Sequence, residues 1–216
     1  MADQPDGKLV ARPEDLGVHS ITHDEIPDVV ETLALAFMND PSWSWIFNDE
    51  DQRLHQLRTL WHFLVMSSMR YPWTVATADL MAAALWIPPG GEELTQAEND
   101  ELVPILTELM GERVSLALET FELFDQAHPH DRDHYYLDLL GTHPKCRGRG
   151  IGVALVVENL RRMDEEGAPA YLESSNPANL VRYQGLGFEP IGGFHLPDGG
   201  PFVTTMWREP RPPHEA

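Results

Sequence analysis

Thr142-His143-Pro144-Lys145-Cys146-Arg147-Gly148-Arg149-Gly150-Ile151-Gly152 joins two segments of different periodicity. The apolar stretch Tyr135 to Leu140 feeds into it, and from Ile151 to Leu160 the apolar positions recur at helical spacing. The order is strand, glycine-rich turn, helix. Lys145, Arg147 and Arg149 place cations in this turn, in a chain whose formal net charge is −20. Glycine lets backbone approach a ligand closely, and the first amides of a helix have no acceptor within it. The partial positive charge of the helix N-terminus adds to this, so the turn suits a phosphate or pyrophosphate.

Spacing separates the known phosphate loops. A Walker A loop needs a Gly-Lys-Ser/Thr ending, which these glycines do not have. The dinucleotide fingerprint Gly-x-Gly-x-x-Gly fails in both registers, because its third glycine falls on Val153 or on Leu155. What stands here is Arg-x-x-Gly-x-Gly, from Arg147 through Gly150 to Gly152. Downstream, Ala170 to Ser175 reads as a short apolar strand. Asn176-Pro177 then reads as an N-cap with proline at the first helical position. Gly185 or Gly187 stops that short helix, and Phe188 is apolar again.

These parts, in this order, resemble the GNAT superfamily of N-acetyltransferases. There an Arg-x-x-Gly-x-Gly loop holds the pyrophosphate of acyl-CoA, and a strand, an Asn, a short helix with a Tyr and Leu-Gly-Phe follow. Leu172-Glu173-Ser174-Ser175, Asn179-Leu180, Tyr183 to Phe188, Leu196 to Pro201 and Thr205 to Arg208 are similar in more detail to the puromycin N-acetyltransferase group. Weaker similarity runs through Thr32 to Phe37 and Ala83 to Trp86. The resemblance implies an α/β (α+β) GNAT fold. Its centre is a mixed, mostly antiparallel twisted sheet of six or seven strands with a splayed pair, flanked by helices. It also implies acetyl-CoA as the acyl donor and direct transfer, in a ternary complex, to the primary amine of a small molecule. An aminonucleoside antibiotic or a related metabolite is one such acceptor. A protein or peptide amine, and a non-catalytic acyl-CoA sensor, are the alternatives.

By the same resemblance, Arg147, Gly148, Arg149, Gly150, Ile151 and Gly152 hold the pyrophosphate. Leu140 and Thr142, with Gly141 between them, offer backbone groups to the pantetheine arm, and an amide of this strand polarises the thioester carbonyl. Lys145 meets the 3′-phosphate or solvent. Tyr183 is the expected general acid, since a phenol protonated at neutral pH can supply a proton to a departing thiolate. Asn179 is expected on the CoA arm, whereas helix capping accounts for Asn176. Glu173 is the expected general base, with Asp138 and water as alternatives. Period-two alternation puts Asp138 on a strand face with Tyr136 and Leu140. Trp43 and Trp45, in the aromatic stretch before Asn48, are expected to border the acceptor.

Composition sets the outer bounds. The chain has 216 residues, 42% hydrophobic and 23% charged, which fits one globular domain. No apolar stretch reaches membrane-spanning length, and Met1 to Val10 is polar and acidic, unlike a signal peptide. One cysteine, Cys146, cannot form an internal disulfide. These features point to the cytoplasm, without a membrane; a monomer or homodimer is expected. The acidity argues against a nucleic-acid partner, so none is expected, and it would attract cationic acceptors. His134 and His143 lack metal-ligand spacing, so no metal is expected. Residues 1–17 read as a loose tail, 18–209 as a single acetyltransferase domain and 210–216 as a disordered end. Within the domain, Asp24 reads as a helix cap. A long helical region from Thr95 to Ala127 is expected to break at Pro104 or near Met110-Gly111.

Overall fold

The computed structural model describes residues 11–211; residues 1–10 and 212–216, expected as the ends of the chain's two tails, lie outside them. After the short strand β1 (His19–Ser20), Thr22 and Glu25 close a capping box that opens α1 (Ile26–Phe37) through one 3₁₀ turn. The cap is therefore Thr22 rather than Asp24, because Glu25 reaches back to the Thr22 amide at 2.7 Å. The aromatic connection that follows forms a helix of its own, α2 (Pro41–Ile46). Asp40 nucleates it by accepting from the amides of Ser42 and Trp43 at 3.0 and 3.2 Å, with Pro41 at the first helical position. Then come α3 (Glu50–Ser68), β2 (Thr74–Ala76) and β3 (Ala82–Ile87). The long helical region divides into α4 (Gln96–Met110) and α5 (Val114–Ala127). The break falls at Gly111, whose φ of 54° suits glycine; Pro104 sits inside α4 without ending it.

The second half holds β4 (Tyr135–Thr142), α6 (Ile151–Glu166), β5 (Ala170–Ser174), α7 (Leu180–Gly185), β6 (Glu189–His195) and β7 (Phe202–Arg208). The seven strands form one sheet in the order β1-β2-β3-β4-β5-β7-β6. Every neighbouring pair is antiparallel except β4 and β5, which α6 connects as a crossover.

Apolar side chains cover both faces of the sheet, so its central strands are buried on each side. One core gathers Leu33, Trp61, Leu64 and Leu106 from α1, α3 and α4. The other joins Leu155, Leu160 and Met163 of α6 to Trp73, Trp86 and Leu172. Arg208, 3% exposed, ties β7 to α6 through two 2.7 Å bonds to Asp164, and its Nε donates to the Leu186 carbonyl. Residues 11–17, counted with the tail in the sequence reading, are packed. Ala11 N–H donates to the Arg149 carbonyl at 3.1 Å, Leu16 O accepts from Ala78 N–H at 2.9 Å, and Pro13–Asp15 forms a 3₁₀ turn.

Candidate active site

Two irregularities of β4 create the site. The first is a splay. β4 and β5 pair over three residues only, Tyr135–Leu137 against Ala170–Leu172. Beyond that point β4 continues with β3 alone and β5 with β7 alone. His143 N–H donates to the Met81 carbonyl at 2.8 Å on the β3 side. Alternation then points the amides of Leu139 and Gly141 toward β3 and leaves those of Leu140 and Thr142 facing the gap. Gly141 has a separate role: a Cβ there would lie 2.8 Å from the Leu33 side chain, so α1 packs directly on this part of β4.

The second irregularity is a bulge. Leu139 pairs with Leu85 and Leu137 with Trp86, so Asp138 is an extra residue without a partner on β3. The bulge corrects the expected alternation. Asp138 faces the cleft together with Tyr136, but Leu140 packs on the α6 side and Leu139 on the α1 side.

The loop after β4 carries the anion-binding chemistry. Gly148 and Gly150 have φ of 77° and 78°, where a side chain would be strained. Gly152 is held by space instead, since a Cβ would come 2.6 Å from Thr142 Oγ1. Ile151 and Gly152 contribute first-turn amides of α6, which no side chain caps among the described residues. The Arg147 guanidinium donates to the Ala36 carbonyl at 2.7 Å, and among the described residues that of Arg149 reaches only Cys146 Sγ, at 3.8 Å. Lys145, Arg147 and Arg149 are exposed, and none forms an ion pair among the described residues. A glycine cradle, open amides and available cations together fit a diphosphate.

From the splay a cleft of about 810 Å³ runs under α5 and the connection from β3 to α4. Tyr183 lines it, with its ring edge-on to Phe188 at 6.0 Å. Its hydroxyl bonds to no other described residue, and burial, with nearby Asp40 adding to it, raises the phenol to about 12. It therefore keeps its proton at neutral pH. Asp40 is fixed by the α2 amides and by Ser175 Oγ at 2.8 Å, while Ser42 Oγ donates to the Ser175 carbonyl. These bonds strap the start of α2 to the end of β5, beside Tyr183. Asn179 lines the cleft and accepts from Arg182 at 2.7 Å, and Asn176 caps the Ala178 amide at 3.0 Å.

Deeper in the cleft stand three carboxylates. Glu173 has a buried Oε1 with no hydrogen-bond partner among the described residues. Burial pushes its carboxyl up to about 8, against partial relief from the hydroxyls of Tyr171 and Tyr136. Asp138 is held well above its ordinary value by burial and by Glu93 and Glu173. Glu93 is pushed up to about 7 by burial and by Asp125. The His128 ring packs edge-on against Tyr136 and Tyr171 at 4.8 and 5.2 Å. Burial and the neighbouring His134 and His130 lower it to about 4, so it is uncharged at neutral pH.

Sequence reasoning did not find Glu93, Asp40 or His128. Glu93 follows the Pro88-Pro89-Gly90-Gly91 turn and reads as a solvated loop residue. Only the folding of that loop over the cleft turns it inward. Asp40 had a legible signal, an acidic residue directly before Pro41. The two expected tryptophans part company. Trp43 borders the cleft and packs edge-on against Trp61 at 4.6 Å. Trp45 is 37% exposed and spends its Nε1 on the Pro197 carbonyl, away from the cleft lining. The cause is α2 itself, in which residues two apart point about 200° apart around the axis. His134 Nδ1 bonds the Arg132 carbonyl, and the His143 ring accepts from the Lys145 amide.

The sequence model of the acetyltransferase (GNAT) family matches residues 40–188, which include the splay, the loop, Glu173 and Tyr183. The chain belongs to the GNAT family. GNAT acetyltransferases take the acetyl group from acetyl-CoA. The chain is 27% identical over 122 residues to a mycothiol acetyltransferase of Segniliparus rotundus, a match covering 54% of this chain and 40% of that protein. It is 25% identical over 167 residues to an uncharacterized N-acetyltransferase of Schizosaccharomyces pombe, covering 73% and 68%. The chain thus spans well under two thirds of the mycothiol acetyltransferase. A Corynebacterium glutamicum structure described as histone acetyltransferase HPA2 and related acetyltransferase superposes with TM-score 0.65 at 24% identity, over 91% of this chain and 97% of the other. That likeness establishes the same GNAT fold, a seven-stranded mixed sheet flanked by helices.

Proposed function

We propose that the chain transfers the acetyl group of acetyl-CoA to the primary amine of a small molecule. One observation carries this reading: Tyr183, the open edge of β4 and the unpaired Glu173 all line one cleft. When bound, acetyl-CoA supplies an activated acyl carbon. The chain's residues do the rest. The loop from Arg147 to Gly152 holds the diphosphate, and the amides of Leu140 and Thr142 orient the acyl-bearing arm, so that positioning supplies much of the rate. Glu173, once ionised, takes a proton from the acceptor's ammonium and leaves a neutral nucleophile. Asp138 and water are the alternatives for that step. The Tyr183 O–H holds the proton that the departing thiolate needs.

Volume supports a small acceptor, since about 810 Å³ lies within the range of small-molecule sites. The test is product detection by mass spectrometry with acetyl-CoA and a panel containing puromycin, simple alkylamines, diamines and a peptide N-terminus. An acetylated small amine is the expected product. Acetylation of the peptide alone would shift the reading to a protein acetyltransferase. CoA binding without any product would make the chain an acyl-CoA sensor.

A further inference from the structure

Glu93, Asp138 and Glu173 reach the cleft from three separate places: the β3–α4 connection, the β4 bulge and β5. None of the three forms an ion pair among the described residues. Asp125 of α5, whose side chain is 78% exposed, extends the group beside Glu93, and among the described residues its carboxylate meets only the His130 ring, at 3.9 Å. Arg132, which also borders the cleft, is occupied elsewhere by two bonds to Glu209 at 2.7 and 2.6 Å. Glu173 Oε1 is buried here without a donor among the described residues, while the hydroxyls of Tyr171 and Tyr136 relieve the carboxyl in part. A buried carboxyl oxygen without a donor is costly, and ionising neighbouring carboxyls together is costlier, so the group stays largely protonated until a counter-charge arrives. An entering cation relieves that cost by pairing with a carboxyl that then ionises.

One positive charge pairs with one end of the group only. Glu173 lies two residues from Ser175, or about 7 Å along an extended strand, and Ser175 binds Asp40 beside Tyr183. That end of the acidic group faces the transfer chemistry. Glu93 and Asp125 form the other end. Resting on the proposed acetyltransferase reading, we propose that the acceptor is a dication of the diamine class. One amine is delivered to Glu173 for acetylation, and a second ammonium or guanidinium group sits between Glu93, Asp125 and Asp138. Acetylation removes the charge at the reacting end only, so the product is a monocation that this cluster holds less tightly, which favours its release.

The test compares isosteric acceptors on the full chain with saturating acetyl-CoA. 1,4-Diaminobutane and n-pentylamine have equal chain lengths and differ only in carrying an ammonium or a methyl group at the far end. The expected result is a kcat/KM for the diamine at least about tenfold higher, the scale of one additional partly buried ion pair. Glu93→Gln should narrow that ratio by about tenfold, mainly through a higher KM for the diamine, and Asp125→Asn should act in the same direction. Thermal-shift titration of the unmodified chain with both amines gives a reading independent of any variant, and a larger shift with the diamine is expected. Equal kcat/KM and equal thermal shifts for the two amines would overturn the dication assignment while leaving the acetyltransferase reading intact. Acetylation of no amine, in a chain that still binds acetyl-CoA, would overturn the reading on which the assignment rests.

Discussion

Replacing Glu173 with Gln removes an ionisable group from the cleft while keeping its shape, and its effect on stability should depend on pH. In the folded chain the Glu173 carboxyl titrates at about 8, against an ordinary value of 4.5. A raised folded value means that the fold favours the protonated form. That contribution is fully present below pH 4.5 and is lost as pH rises toward 8. Across this window the unfolded chain has released its proton and the folded chain has not, so stability falls by about 1.4 kcal/mol per pH unit. Partial access of water to the cleft reduces the total, leaving an expected gap of about 2–4 kcal/mol between variant and wild type at pH 8.5. For a chain of this length that is a rise in Tm of about 5–12 °C for Glu173→Gln at pH 8.5, with near-equality at pH 5. Urea and thermal unfolding of both proteins at the two pH values measure it. If the two stability curves ran parallel across this range, the assignment of Glu173 as a buried, raised carboxyl would be wrong.

Tyr183→Phe should reduce kcat by about 10²-fold or more while acetyl-CoA affinity stays within about twofold, since only the proton-bearing oxygen is removed; steady-state kinetics and calorimetry separate the two effects. Gly152→Val should weaken acetyl-CoA binding by at least about tenfold, because its side chain must displace Thr142 Oγ1 from the edge of the loop; circular dichroism checks that α6 persists. Arg208→Met should cost about 3–5 kcal/mol in urea unfolding, because it leaves Asp164, 17% exposed, without its guanidinium partner. A loss below about 1 kcal/mol would show that Asp164 is satisfied by solvent and by the Arg211 amide alone.

Much of this site can be read from local sequence, for a physical reason. The phosphate loop, the Asn176 cap and the stop at Gly187 are set by backbone chemistry within a few residues, so spacing reveals them. The strands from Tyr135 and from Ala170 were legible for the same reason, as apolar runs next to turn residues. The bulge at Asp138 was not. It arises from a pairing choice between β3 and β4, and no residue in Leu137-Asp138-Leu139 marks where an extra residue will be accommodated. The parting of Trp43 from Trp45 escaped because it depends on α2 being helical, and that helix is nucleated by a single side chain, Asp40. Glu93 was invisible because its burial comes from α4 and α5 closing over the cleft, a tertiary event that a Pro-Gly-rich loop does not announce. Local chemistry thus exposes the cofactor side of the cleft, and long-range packing builds the acceptor side.

Isothermal titration of the full chain with acetyl-CoA bears most directly on the whole assignment. Gripping of the diphosphate by the loop from Arg147 to Gly152, with the arm along the open edge of β4, requires saturable heat at one site per chain and its loss in Gly152→Val. An absence of saturation at millimolar acetyl-CoA, from a chain shown to be folded, would contradict it.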